Sequence, residues 1–199
     1  TGKILAEANY LGFLTLRCAT TGEIQSRFLG QTALVETIRF DQHTGNLLIV
    51  GAGFEGYRDF GAVKILHVPS GDRVGELIGH TDDITDIAVL SGSPHRVVSI
   101  GLDHKVIVHD LSDSTKNWTW AEYNDYLNMC SPRPQYDGQF AIAGDSSYTY
   151  VLSANEKEII AKIETLGDSN GLIWSQDGRY LLVGDDHSEL KYFDSERDW

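Results

Sequence analysis

Residues Val97–Ser112 read VVSIGLDHKVIVHDLS, an apolar strand, a tight turn and a second strand in which apolar and polar residues alternate. A period of two indicates that one face of the second strand is buried, and turns rich in Gly, Asp and Ser are typical of hairpins. Four more segments follow the same pattern: Ile4–Gly22, Leu47–Gly71, Ala141–Ala154 and Leu181–Ser195. The chain is therefore predicted to contain a series of similar β-hairpins.

These hairpins recur at a nearly constant interval. Their second strands end at Cys18, Val68, Asp110, Ser153 and Asp194, which are 50, 42, 43 and 41 residues apart. Two more strand-like segments lie between successive hairpins, and no segment of about ten residues has a helical period. Repeats of about 40–45 residues with four short strands each predict an all-β fold, a β-propeller of four-stranded antiparallel blades.

Similar tripeptides mark the repeat boundaries, because Gly30–Thr32, Gly79–Thr81 and Gly167–Ser169 read GQT, GHT and GDS. The predicted repeat units of this single propeller segment are 1–29, 30–78, 79–122, 123–166 and 167–199. Four strands per repeat give about four and a half blades, starting on the second strand of one blade and ending on the third strand of another. Since two incomplete blades cannot close a ring, we expect a larger propeller or another polypeptide that supplies the missing blades.

The composition is that of a folded acidic protein. Of 199 residues, 41% are hydrophobic and 10% aromatic, and the net charge is −13. This charge disfavours direct nucleic-acid binding and favours partners with basic segments. No apolar run of about 18 residues predicts a membrane span. Cys18 and Cys130 do not form a disulfide or zinc pattern, so we expect an intracellular protein, cytoplasmic or nuclear, without membrane partners.

The repeat that begins at Gly79 resembles a WD repeat. In that family a Gly-His pair is followed by a strand, a Ser, a turn Asp and a Trp-Asp pair. The matching residues here are Gly79-His80, Ser99, Asp103 and His109-Asp110. The resemblance implies a structural hydrogen-bonded tetrad of His80, Ser99, Asp103 and His109, with His109 in place of the family's Trp. The other repeats match loosely, and the resemblance as a whole implies a propeller that recruits other proteins.

The second hairpin is about eight residues longer than the others, and the extra residues are 53–60. Insertions in repeat proteins lie in loops on one face, where partners often bind. Aromatic and arginine side chains are enriched in interface hot spots, which makes Phe54, Tyr57, Arg58 and Phe60 candidate partner-binding residues. The segment Gly51–Gly56 also matches GxGxxG, but a strand rather than a helix follows it, which argues against a dinucleotide site.

Acidic pairs in predicted turns form the second part of the candidate site. Carboxylates in adjacent turns attract basic peptides, although solvated turns explain such pairs equally well. The candidates are Asp82, Asp83, Asp185 and Asp186, together with His104 and Tyr148 from the hairpin turns. The histidines have no metal-ligand spacing, so we expect neither a metal nor a cofactor. Trp118 and Trp120 are predicted to pack between adjacent blades, and a platform for a ligand is the alternative.

These observations favour a non-catalytic scaffold that recruits protein partners in a multi-subunit complex through its loop face. A narrower alternative is a reader of basic peptides such as histone tails, for which an aromatic cage would be needed. Another alternative is an enzyme with an unrecognised site on the propeller face. We expect no enzymatic activity, because the sequence contains no GxSxG motif and no recognised acid–base arrangement.

Overall fold

The computed structural model describes residues 3–9, 11–29, 35–51, 61–68, 70–120, 123–165 and 167–198. Within these ranges the protein contains eighteen β-strands, one 3-10 turn at Ser114–Lys116 and no α-helix. The all-β prediction is confirmed. Nothing helical in the described ranges has the length and apolar character of a membrane-spanning segment.

The strands form five antiparallel sheets, and the order of strands in each sheet follows the chain. The first sheet contains β1 Ile4–Ala8, β2 Phe13–Cys18 and β3 Ile24–Leu29. The second contains β4 Val35–Phe40, β5 Leu47–Gly51, β6 Ala62–Leu66 and β7 Arg73–Ile78. The third contains β8 Ile84–Val89, β9 Arg96–Gly101, β10 Val106–Asp110 and β11 Trp118–Trp120. The fourth contains β12 Leu127–Pro132, β13 Gln139–Gly144, β14 Tyr148–Ser153 and β15 Glu158–Glu164. The fifth contains β16 Ser169–Trp174, β17 Tyr180–Asp185 and β18 Leu190–Asp194.

The chain divides into two compact units, Thr1–Ile84 and Thr85–Trp199. In the first unit, Leu14 of β2 and Leu66 of β6 are buried together, and the Phe28 ring packs against them. Gly71 has a φ of +80°, and a Cβ atom there would lie 2.5 Å from Cγ of Phe28. Glycine is therefore required at this turn, both for its backbone conformation and for the close approach of the aromatic ring.

In the second unit the fourth sheet lies between the third and the fifth. Alternate residues of β13 point to opposite neighbours, as the pleat of a strand requires. Phe140 and Ile142 belong to the core shared with the third sheet. Ala141 and Ala143 belong to the core shared with the fifth sheet. The fourth sheet is consequently apolar on both faces, whereas a sheet of a two-layer sandwich is buried on only one.

Neighbouring sheets of the second unit approach each other most closely near their first and second strands. The Cα atoms of β12 lie within 8 Å of those of β9 in the third sheet and β16 in the fifth. The strand β13 also approaches β16, while the fourth strand β15 is not among these close neighbours. The hairpins that the sequence predicts are all present.

Candidate partner-binding face

Hydrogen bonds between the third and fourth sheets align these sheets in the same direction. The Thr85 hydroxyl donates to the Leu127 carbonyl oxygen over 2.5 Å. The amide of Cys130 donates to Oδ2 of Asp86 over 3.0 Å. Because β8 and β12 therefore begin side by side, the turns that follow their neighbouring strands lie at matching ends of the two sheets.

The opposite ends of the sheets are joined in the same way. Nε of Arg133, after β12, donates to the Gly178 carbonyl oxygen, before β17, over 2.7 Å. The amide of Gly138 donates to the Ser91 carbonyl oxygen over 3.2 Å. The turns between first and second strands thus meet at one end of the unit. The turns between second and third strands lie at the other end, which we call the acidic turn face. The acidic turn face comprises residues 102–105, 123–126, 145–147, 167–168 and 185–189.

The acidic turn face contains one basic side chain against many carboxylates. Lys105 is the only lysine or arginine in its segments, and the Lys105 ammonium lies 3.1 Å from Oδ2 of Asp103. The carboxylates are Asp103, Asp125, Asp145, Asp168, Asp185, Asp186 and Glu189. Such a concentration of one sign of charge produces a potential that attracts cationic groups from solution.

A stacked pair of rings joins the third sheet to the fourth at this face. His104 lies in the β9–β10 turn with a φ of +62°. Its ring lies parallel to that of Tyr126, with 5.1 Å between ring centroids. Tyr126 is 48% exposed. An exposed ring supported from below by another ring can contact a partner without first becoming ordered, which lowers the entropic cost of binding.

Tyr123 is the buried centre of the aromatic cluster behind the face. Its hydroxyl lies 2.7 Å from Oγ of Ser146 and donates to the Tyr148 carbonyl oxygen over 3.2 Å. The Tyr123 ring meets Trp120 and Tyr150 edge to face, with centroids 6.0 and 5.3 Å away. These contacts fix the β13–β14 turn relative to the segment that precedes β12, so the turn presents Asp145 in a defined position.

Burial of Tyr123 gives stability a specific dependence on alkaline pH. Burial is the main cause that raises the pKa of Tyr123 from 10.0 to about 12. The corresponding stability is present in full below about pH 10, and it is lost as the pH rises through about 12, because the unfolded chain then releases this proton first. We expect the free energy of unfolding to fall by about 1.4 kcal/mol per pH unit in this window.

Urea titrations at increasing pH measure this effect, and the Tyr123→Phe variant is the control because it has no phenol to ionise. The difference between the two slopes isolates the contribution of Tyr123. Equal slopes for the two proteins between pH 10 and 12 would contradict the assignment of Tyr123 as the buried alkaline group.

Tyr148 already binds one ammonium group. The Lys162 Nζ atom lies 3.7 Å from the centroid of the Tyr148 ring and 5.5 Å from that of Tyr150. This distance is within the range of a cation–π interaction. The Tyr148 ring thus holds a cation from the neighbouring strand β15 of its own sheet.

The fifth sheet contributes a compact acidic turn. Oδ1 of Asp185 accepts from the amides of His187 and Glu189 over 3.1 and 3.0 Å. Oδ1 of Asp186 lies 2.9 Å from Nδ1 of His187. In the described part of the chain these three residues are the one convergent group of potential metal ligands, with ligand atoms within 4.8 Å of one another. The turn's own hydrogen bonds account for its geometry, and the expected absence of a metal stays a prediction.

The candidate residues from the sequence have different outcomes. His104, Tyr148, Asp185 and Asp186 lie at the acidic turn face or, for Tyr148, directly beside it. Asp82 is exposed, and its Oδ1 accepts from the Asp83 amide over 2.8 Å. These two residues lie in the first unit. Phe54, Tyr57, Arg58 and Phe60 lie outside the described residues.

Two of the four residues of the predicted structural tetrad, Ser99 and His109, are in contact. Oγ of Ser99 lies 2.8 Å from Nε2 of His109, and both residues are buried. The Asp103 side chain is also buried, and its Oδ1 accepts from the Lys105 amide over 3.3 Å. His80 is buried in the first unit, so its link to the other members stays a prediction. A histidine in the family's Trp position still reaches the strand serine.

Sequence reasoning did not identify Arg133, which connects the fourth sheet to the fifth at the end opposite the acidic turn face. Besides the bond to Gly178, its guanidinium donates to Oε1 of Gln139 over 2.9 Å and to Oγ of Ser195 over 2.7 Å. It lies 3.6 Å from the Tyr136 ring centroid. Burial lowers the pKa of Arg133 from its ordinary value. No sequence motif marks this residue, because its partners are distant along the chain.

No protein-family model matches the chain, and comparison with curated proteins gives no match. The likeness to WD repeats therefore depends on the residues quoted above and on the spacing of the strands.

Proposed function

We propose that the protein is a WD-repeat-like β-propeller segment that acts as a non-catalytic scaffold and recruits protein partners through the acidic turn face. The observation that carries the proposal is the convergence of the turns from three successive sheets on one end of the second unit, where carboxylates greatly outnumber basic groups. A rigid surface built from several turns loses little entropy when it binds a partner.

Two features support the propeller arrangement. The fourth sheet packs against a sheet on each face, as a blade does. The sheets of this unit approach each other most closely near their first and second strands, as they would if they fan outward from an axis. In a propeller the first strand of each blade is innermost. We also propose that further strands, from another chain or from additional residues, complete the first and fifth sheets, which have three strands each. The fifth sheet exposes Ile173, Leu190 and Tyr192, at 61%, 72% and 71% of their surface.

A basic-peptide reader is the second candidate, and the Tyr148–Lys162 contact favours it. An ammonium 3.7 Å from the ring centroid has the geometry that a lysine of an incoming peptide would adopt. The carboxylate of Asp145 lies in the adjacent turn. This candidate uses the same face as the scaffold, and it differs only in that the partner is an extended basic tail.

Charge reversal at the acidic turn face tests the proposal. The face variant carries Asp125→Lys and Asp168→Lys, which change two exposed side chains. The control variant carries Glu196→Lys and Asp198→Lys at the opposite end of the fifth sheet, so the net charge is the same. The probe is a fluorescein-labelled nine-residue peptide in which lysines alternate with glycine and serine, and anisotropy measures its dissociation constant.

We expect the face variant to bind the peptide about tenfold more weakly than the control variant, mainly through slower association. We also expect binding to the unmodified chain to weaken between about 0.05 M and about 0.3 M salt, since exposed charges are screened over this range. Equal affinities for the two variants would show that overall charge, and not this face, attracts basic partners. Affinity purification of partners with the same two variants extends the test to natural ligands.

A further inference from the structure

A groove runs along the outer side of the second unit, between the edges of the third and fourth sheets. One part of the groove has a volume of about 240 Å³ and is lined by Trp118, Trp120, Leu152, Lys157, Glu158 and Ile159. The other part has a volume of about 350 Å³ and is bordered by Arg96 and Lys116. Trp118 and Lys157 line both parts, so the two form one continuous channel. We call it the outer groove.

The outer groove exists because β11 is short. This strand has only three residues, and it pairs with Val106–Val108 of β10. The 3-10 turn at Ser114–Lys116 stands where a longer edge strand would otherwise continue. In the fourth sheet β15 has seven residues, and a register shift places Ile159 opposite Leu152. The wall formed by the third sheet therefore ends where β11 stops pairing with Val106–Val108, and the space beyond it is open.

The walls of the groove have the composition of a binding hot spot. Trp118 and Trp120 are two residues apart on β11 and both pack toward the core shared by the third and fourth sheets. Leu152 is buried and Ile159 is 43% exposed. A tryptophan pair facing branched aliphatic side chains can hold a single bulky apolar side chain from a partner.

Cations border the groove in an otherwise acidic protein. The ammonium of Lys116 lies 3.3 Å from Oδ2 of Asp113. Arg96 donates to Oδ1 of Asn155 over 2.7 Å and lies 3.4 Å from Oδ1 of Asp137. Lys157 has no ion pair among the described residues. Two carboxylates also line the groove, Asp110 and Glu158. The Asp110 carboxylate is already hydrogen-bonded within the chain, because its Oδ1 accepts from the amide and the hydroxyl of Ser112.

Lys157 has a backbone conformation that lysine rarely adopts. Its φ is +59°, in the left-handed region. A residue with a Cβ atom costs about 1 kcal/mol more there than glycine does. Strained positions that keep an unfavourable residue are candidates for a functional role. Here the position carries a cation at the junction of the two parts of the groove.

We propose that the outer groove binds a short acidic segment of a partner polypeptide, with one bulky apolar side chain held between the tryptophans and Ile159 and a following carboxylate paired with Lys157. Lys116 and Arg96 already have carboxylate partners, so the ammonium of Lys157 is the lining cation that favours an acidic segment over a basic one. This site uses none of the residues of the acidic turn face and does not depend on the function proposed for that face. The chain then has two docking surfaces with opposite charge preference.

The test uses a fluorescein-labelled nine-residue peptide with a central leucine followed by two glutamates, flanked by glycine and serine. The reference peptide carries glutamines in place of the glutamates. We expect the acidic peptide to bind at least about tenfold more tightly than the reference. In spectra of the ¹⁵N-labelled chain, the indole signals of Trp118 and Trp120 should move on binding. Trp174 is buried on the other face of the fourth sheet, and its signal should stay in place.

Two variants at Lys157 separate binding from folding. Lys157→Glu should lower the affinity for the acidic peptide at least about tenfold. Lys191→Glu makes the same charge change on the fifth sheet and should leave this affinity unchanged. Lys157→Gly removes both the cation and the backbone strain, so it should weaken binding while the melting temperature is maintained or rises. Equal affinity for the two peptides, or no binding up to about 1 mM, would overturn the proposal. So would unchanged binding in Lys157→Gly, or a shift of the Trp174 signal alone.

Discussion

Replacement of Arg133 by alanine is expected to lower the free energy of unfolding by about 3 kcal/mol. The variant leaves the carbonyl of Gly178 and the side chain of Gln139 without their charged donor, and it removes a largely buried side chain from between two sheets. Each lost bond to a charged group contributes on the order of 1.5–3 kcal/mol, and the losses are not additive. Urea unfolding followed by tryptophan fluorescence measures the change, because Trp174 lies 4.6 Å from the guanidinium.

Two further variants determine whether charge or geometry is responsible. Arg133→Lys keeps the charge but cannot reach three acceptors at once, so it should recover less than half of the loss. Arg197→Ala removes an arginine whose side chain is 78% exposed at the same end of the fifth sheet, and it should leave the midpoint unchanged. If Arg133→Ala unfolds at the same urea concentration as Arg197→Ala, the Arg133 contacts do not hold the sheets together.

A single added methyl group at Gly144 is expected to destabilise the chain by about 1–3 kcal/mol and to disturb the acidic turn face. A Cβ atom at this position would lie 1.9 Å from the Tyr126 carbonyl oxygen and 2.9 Å from Cα of Leu127. Because both neighbours are backbone atoms, neither can rotate away. The segment that presents Tyr126 must therefore shift, which would separate the Tyr126 ring from His104.

Gly184 provides a matched control in the next sheet. Gly144 and Gly184 both precede an aspartate at the end of a second strand. A Cβ atom at Gly184 would have its nearest contacts at 3.9 Å, so Gly184→Ala should be close to neutral. Urea unfolding compares the stabilities, and aromatic proton shifts report the His104–Tyr126 stack. Similar losses of stability in the two variants would contradict the backbone-clash explanation.

Strand positions were predictable from the sequence because they depend on local patterns. The alternation in Val106–Asp110 and the turn that precedes it define a hairpin without reference to the rest of the chain. The order of strands within sheets follows from the same short connections. The contact between Ser99 and His109 was implied by the resemblance to WD repeats, and both residues belong to one hairpin.

Contacts between sheets were not predictable in the same way. Arg133 and Ser195 are 62 residues apart, and no periodic pattern relates them. The His104–Tyr126 stack joins two sheets, next to a register shift between Leu127 and Met129 of β12. The outer groove results from the termination of β11 after three residues. Sequence patterns report regularity within one element, and neither contacts between distant elements nor local irregularities leave such a pattern.

The agreement between strand order and chain order has a consequence for how the protein is made. Each sheet is built from one continuous stretch of chain, so a nascent polypeptide can complete it soon after that stretch leaves the ribosome. Within each unit, a newly formed sheet can pack its apolar face against a sheet that is already in place. Synthesis can thus add sheets to a unit one at a time, and neighbouring sheets of that unit meet without a search across the whole molecule.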